Sequence, residues 1–123
     1  MNNELEKFVD MAFKRELYQV VSIDAPRSNR IHDKALKLIA KMDAENRRGE
    51  LKELFRHPDP FVRLAAASWV LEVDEDAAMA VLRKLAKIKR GDVGFDAKFM
   101  IVRWYEQAHG ISLDISKIGE EDF

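Results

Sequence analysis

Apolar residues recur at three- and four-residue steps through most of this chain, and the interruptions of that rhythm mark its elements. Leu5, Phe8, Val9, Ala12, Phe13, Leu17 and Val20 fall on one helical stripe and predict a first helix. Ile23-Asp24-Ala25-Pro26 ends it, because the ring of Pro26 pushes Ala25 toward extended geometry. Ser28 or Asn29 can then cap a second helix carrying Ile31, Ala35, Leu38, Ile39 and Met42. Arg47-Arg48-Gly49 breaks the pattern before a short third helix built on Leu51, Leu54 and Phe55. His57-Pro58-Asp59-Pro60 is the sharpest punctuation in the chain, with Asp59 as N-cap and Pro60 at the first helical position, where its missing N–H costs nothing. The fourth helix, residues 61 to 73, is apolar nearly all round, the mark of a central element.

Asp74-Glu75-Asp76 places acids at the electropositive start of a fifth helix, and Arg83, Lys84, Lys87, Lys89 and Arg90 load its opposite end with cations. Gly91-Asp92 resets the chain for a sixth helix over 93 to 109, which Gly110 stops. Ile111, Leu113 and Ile115 then alternate with Ser112, Asp114 and Ser116, so the tail, 110–123, reads as extended and as a cap on the last helices.

Sliding the sequence over itself by 31 residues aligns Ile31 with Val62 and Val93, Ala35 with Ala66 and Ala97, and Ile39 with Val70 and Ile101. The preceding helices agree, with Val20, Leu51 and Leu82 in one register and Ile23, Leu54 and Leu85 in another. The expected architecture is all-α, with three helical hairpins over residues 5–46, 50–73 and 75–109 in a single domain spanning 1–123. The recurring alanines suit the close approach of two helices within a hairpin.

Asp59-Pro60-Phe61-Val62-Arg63-Leu64-Ala65-Ala66, with Leu51 and Leu54 before it, resembles a HEAT repeat, and the whole chain is similar to a family of small bacterial HEAT-like domains of unknown function. The resemblance implies a right-handed α-α superhelix. It also implies a structural role for Arg63, bonded to Asp59 or to a carboxylate of the adjoining turn; the position of Arg63 is taken by His32 in the first repeat and by Gly94 in the last.

Length and composition agree with this picture. With 123 residues, 47 % of them hydrophobic, the chain can bury a core without metal or disulfide, and it has no cysteine to form a thiolate site, a thiol nucleophile or a redox switch. Twenty-one basic against 22 acidic residues give a net charge of -1, so no global field draws the chain to a polyanion. No apolar run approaches the roughly 18 residues of a membrane span, and the Met1–Glu6 start lacks the basic and apolar parts of a signal peptide. A cytoplasmic protein without membrane attachment is expected.

Candidate chemistry is sparse. His32, His57 and His109 have no partner at metal-ligand spacing and read as solvated or capping residues, and Asp74-Glu75-Asp76 is explained by capping. No metal, cofactor or catalytic residue is expected. The basic run 83–90 is the best nucleic-acid candidate, yet no aromatic is interleaved in it for base stacking. Trp69 and Trp104 fall on the side of Val62 and Val93 and are expected in the core. Leu64, Phe61, Phe95, Phe99 and Val102 face away from it and need cover from the tail, a second copy of the chain or a partner. The repeat columns place Lys37 and Lys41 of the second helix beside Phe99 and Arg103 of the sixth. The sequence therefore points to a protein-binding module, an immunity or adaptor protein in kind, whose candidate partner-binding residues are Phe61, Phe95, Phe99, Lys37, Lys41 and Arg103. A nucleic-acid-binding protein or enzyme subunit using 83–90 is the alternative.

Overall fold

Five α-helices and two 310 segments make up the regular structure of the described residues, 3–16 and 24–118, in this computed structural model, with no strand among them. They are α1 (Asn3–Glu16), α2 (Ala25–Ala44), a 310-helix at Arg48–Arg56, α3 (Pro60–Val70), α4 (Glu75–Leu85), α5 (Val93–His109) and a 310 turn at Ile115–Lys117. Leu17, Val20 and Ile23, which the sequence assigns to the end of the first helix, lie outside the described residues.

Local chemistry sets most of the boundaries. The cap of α2 is Asp24, ahead of the expected Ser28 or Asn29: its carboxylate accepts from the Arg27 N–H at 3.1 Å, and Pro26 sits in the first turn, where its missing N–H is tolerated. The third helix winds as a 310 segment of nine residues, long for that geometry, which stacks residues three apart; Leu51 and Leu54 are so stacked and both are buried. Asp59 caps α3 as expected, accepting from the Phe61 N–H at 2.8 Å. Asp74 caps α4 through the Ala77 N–H at 3.2 Å. Gly110, at φ 66°, ends α5 in the left-handed conformation that glycine adopts without strain. α4 ends at Leu85, so Lys87, Lys89 and Arg90 occupy the turn that follows rather than a helix end.

Consecutive elements pack on one another: α1 on α2, the 310-helix on α3, α3 on α4, and α4 on α5. The apolar α3 is central, touching the 310-helix, α4, α1 and α5. Arg63 near its start lies beside Lys84 and Leu85 at the end of α4, so these two helices are antiparallel. Glu75 at the start of α4 meets Trp104 and His109 near the end of α5, so α3 and α5 run parallel.

The first pair enters this arrangement the other way round. The repeat columns expect α2 beside α3, but it is α1 that packs along α3, antiparallel to it, while α2 contacts the 310-helix. The Phe13 ring meets His57 edge-on at 6.0 Å, just before α3, and the opposite end of α1 is held by Glu4, whose carboxylate accepts from Arg47 at 3.0 Å. The 31-residue register holds for the second and third pairs: Leu51 and Leu82, Leu54 and Leu85, Val62 and Val93, Ala66 and Ala97, and Val70 and Ile101 are all buried. In α2 the register returns buried Ala35 and Ile39 but a half-buried Ile31. An amphipathic helix matches another at this offset whichever layer it joins, which is why the column did not discriminate.

The tail, expected to be extended throughout, winds into a 310 turn at Ile115–Lys117 and docks, among the described residues, by Leu113 and Ile118. Ile118 is 4 % exposed within the core cluster and Leu113 packs against it, whereas Ile111 is exposed.

Candidate functional site

A groove of about 610 Å³ opens where α1, α3 and α5 lie side by side. Its floor is apolar, from Phe61, Leu64 and Ala65 of α3 with Phe99 and Met100 of α5, and Ala12 contributes from α1. Phe61 is half-buried against the core, while Phe99 keeps 52 % of its surface exposed. Helix periodicity puts these residues here: Phe61, Leu64, Ala65 and Ser68 are spaced to share one face of α3, as are Asp92, Asp96, Phe99 and Arg103 on α5.

The groove is also lined by charged side chains. Near the start of α3 stand Glu16, at the end of α1, and Asp92 and Asp96, at the start of α5. Burial, then the neighbouring Asp59, pushes the Glu16 carboxyl up; burial, then Asp92, does the same to Asp96. The cations of the groove are Arg15, next to Glu16 at the end of α1, and Arg103, toward the end of α5. Burial holds the Arg15 guanidinium below its ordinary range, and it donates to His32 Nδ1 at 3.1 Å. The His32 ring in turn stacks on Trp69, centroids 6.3 Å apart. Arg48 lies 5.9 Å over the same indole, held by ion pairs to Asp43 and Glu72. Among the described residues neither Arg15 nor Arg103 is in an ion pair. The groove thus carries charges of both signs around an aromatic floor.

Phe61, Phe99 and Arg103 of the sequence-predicted residues are brought together here. Phe95 lies outside the groove, 61 % exposed and stacked on Phe99 at 6.5 Å. Lys37 and Lys41 are exposed on α2, away from the groove, with Lys41 3.7 Å from Glu4; because α1 occupies the place expected for α2, the columns joining them to Phe99 and Arg103 do not form. The side-chain pair expected of Asp59 and Arg63 is also not made. Asp59 uses its carboxylate for the cap, and the Arg63 bond to Asp59 runs from its backbone N–H to the Asp59 carbonyl at 3.3 Å. The Arg63 side chain turns to Phe55 and α4, where its buried Nε has no hydrogen-bond partner among the described residues. Gly94, at the corresponding position of α5, has a steric reason of its own: an added Cβ would stand 2.0 Å from the Ile88 carbonyl oxygen.

Sequence reasoning missed Arg15, Glu16, Asp92 and Asp96, and it placed Trp69 in the core when its indole lines the groove. Trp104 is likewise only partly buried, donating to Glu75 at 2.7 Å. The signal for Asp92 and Asp96 was present, since both fall on the Phe99 stripe at helical spacing; the residues of α1 depended on a long-range contact.

Chemically the groove can hold opposite charges around an apolar strip. The Ser68 hydroxyl on the groove wall donates to the Ala65 carbonyl at 2.6 Å. Among the described residues no cluster of His, Cys, Asp or Glu could hold a metal ion, and no helix is long and apolar enough to cross a membrane.

Fold and groove together define an all-α domain with a concave face of mixed charge. The family model described as a domain of unknown function (DUF2019) matches residues 5–104, and the chain belongs to that family. The match takes in every groove residue and stops before the tail. No curated protein and no solved structure matches the chain.

Proposed function

We propose that the chain is a non-catalytic protein-interaction module of the cytoplasm, a short HEAT-like right-handed stack of three hairpins that receives a segment of a partner protein in the α1–α3–α5 groove. An immunity or adaptor protein that engages a bacterial enzyme is the form we favour. The observation that carries the reading is the groove itself: an aromatic floor with Phe99 half in solvent, flanked by opposed charges. A few aromatic anchors inside a charged rim is the composition of a protein interface, in which the anchors supply affinity and the charges set register.

Affinity capture from the native host with the wild-type chain, Ala65→Lys and Arg15→Glu tests it. The partner should be recovered by the wild type and lost by both variants, with circular dichroism showing all three folded. Retention of the partner by folded Ala65→Lys and Arg15→Glu chains would remove the groove from the interaction. A labelled DNA duplex titrated over a range of salt checks the rival reading: tight binding at low salt that collapses as salt rises would assign the function to the basic segment 83–90 instead.

A further inference from the structure

We propose that the exposed face of α5 pairs with the same face of a second copy of this chain, the two helices antiparallel about a two-fold axis. This rests on reading the chain as an interaction module, and it names one partner. Phe95 and Phe99 are 61 % and 52 % exposed and stack on each other. At about 100° per residue, Asp92, Phe95, Phe99 and Arg103 fall within an arc of about 80° on α5, and all four are exposed.

Their order along the helix makes the face self-complementary. A two-fold axis lying between the two helices, perpendicular to α5 at the level between Ala97 and Lys98, sets Asp92 opposite the Arg103 of the other copy, and Arg103 opposite its Asp92. At about 1.5 Å rise per residue these charges stand roughly 8 Å on either side of the axis, with the four phenylalanines between them. The same rotation brings Phe95 to the level of Met100 of the other copy and Asp96 to that of its Phe99, and carries Glu106, the last charged residue of the stripe, toward the Lys89–Arg90 turn that precedes the helix. A parallel arrangement would instead set Asp92 against Asp92 and Arg103 against Arg103. Neither of the charges is committed within the monomer: Asp92 makes no side-chain cap bond at the start of α5, and Arg103 is in no ion pair among the described residues. One helix face from each copy makes a small interface, of the weak, reversible class.

Sedimentation velocity of the full chain at micromolar to millimolar concentration tests the pairing. The mass should rise from 14.2 kDa toward twice that value. Phe95→Lys should hold it at the monomer. Asp92→Arg and Arg103→Asp should each raise the dissociation constant about tenfold or more, since each sets like charges against each other. Combining both changes in one chain should restore association, because the exchanged charges face each other again across the axis. A chain that stays monomeric to millimolar concentration, or a folded double variant no better than the singles, overturns the proposal. Asp92, Phe99 and Arg103 also line the groove, so a groove partner should displace the second copy, whereas Phe95 lies outside it; loss of the dimer with the groove partner retained in Phe95→Lys separates this inference from the reading of the groove.

Discussion

Gly94 shows how a single hydrogen atom can be decisive. The chain between α4 and α5 folds back until the Ile88 carbonyl sits against the first turn of α5, with Ile88 C 3.1 Å and Leu85 O 3.5 Å from where a Cβ would stand. These neighbours are backbone and cannot rotate away. Gly94→Ala should cost about 1–3 kcal/mol, the range of an overpacked site, as read from the urea midpoint; an unchanged midpoint would mean the turn relaxes freely. Asp96 carries a penalty of another kind. Burial, and then Asp92, raise its folded-state pKa, so its ionised form burdens the native state above that pKa, and the burden lifts as pH falls toward the ordinary carboxylate range. Asp96→Asn should therefore melt higher than the wild type at neutral pH, the gap closing on the acid side. A gap independent of pH would assign the effect to packing. Glycine at position 94 was visible in the sequence as a departure from the Arg63 column, but its reason was not, because the Ile88 carbonyl arrives from a turn that no periodicity describes.

Among the elements, α3 is the least tolerant, since Val62, Ala66, Ala67 and Val70 are each 0 % exposed. Ala66→Leu should lose more than about 1 kcal/mol by overpacking, whereas Ala44→Leu, exposed at the end of α2, should be near neutral; equal midpoints would place Ala66 away from a close helix contact. The contact between α4 and α5 has a polar clasp. Hydrogen bonds from Trp104 first, and from His109 second, hold Glu75 below its ordinary pKa. A carboxylate depressed in the folded state stabilises above its unfolded pKa and loses that contribution as pH falls through the folded value. Glu75→Ala should thus lower the melting temperature at neutral pH and converge with the wild type in acid. Helix starts of this kind were legible, because Asp59-Pro60 and Asp74-Glu75-Asp76 satisfy orphan N–H groups within a few residues of themselves. The 310 winding of Arg48–Arg56 was not, as Leu51 and Leu54 serve either geometry equally well.

For the molecule as a whole, the position of α1 decides whether there is a groove at all. Its N-terminal end is tied down by Arg47, which donates to Glu4, Glu45 and Glu50 at 2.8–3.0 Å. Arg47→Ala should loosen α1 from the rest, seen as faster amide exchange across residues 5–16 with protection retained in α3; uniform exchange in the two helices would show α1 held by its apolar contacts alone. This was the part of the fold that the chain did not disclose by pattern. The contact of α1 with α3 joins residues more than forty positions apart, and the Arg47 ion pairs that fix it link three acids with no periodic relation. Phe61, Phe99 and Arg103 could be found from helical spacing. Arg15 and Glu16 could not, for they become neighbours of α5 only once α1 is in place.

The indole of Trp69, lodged between the His32 ring and the Arg48 guanidinium at the edge of the groove, is a built-in optical reporter. The second emitter, Trp104, sits against Glu75 on another contact and can be silenced by Trp104→Phe, leaving emission from the groove alone. In such a chain, a segment seated over Phe61 and Phe99 would strip water from one edge of the Trp69 ring and shift its light toward the blue. A second copy seated on α5 also covers Phe99, so the blue shift would report both associations, and its dependence on Phe95, which lies outside the groove, would tell them apart.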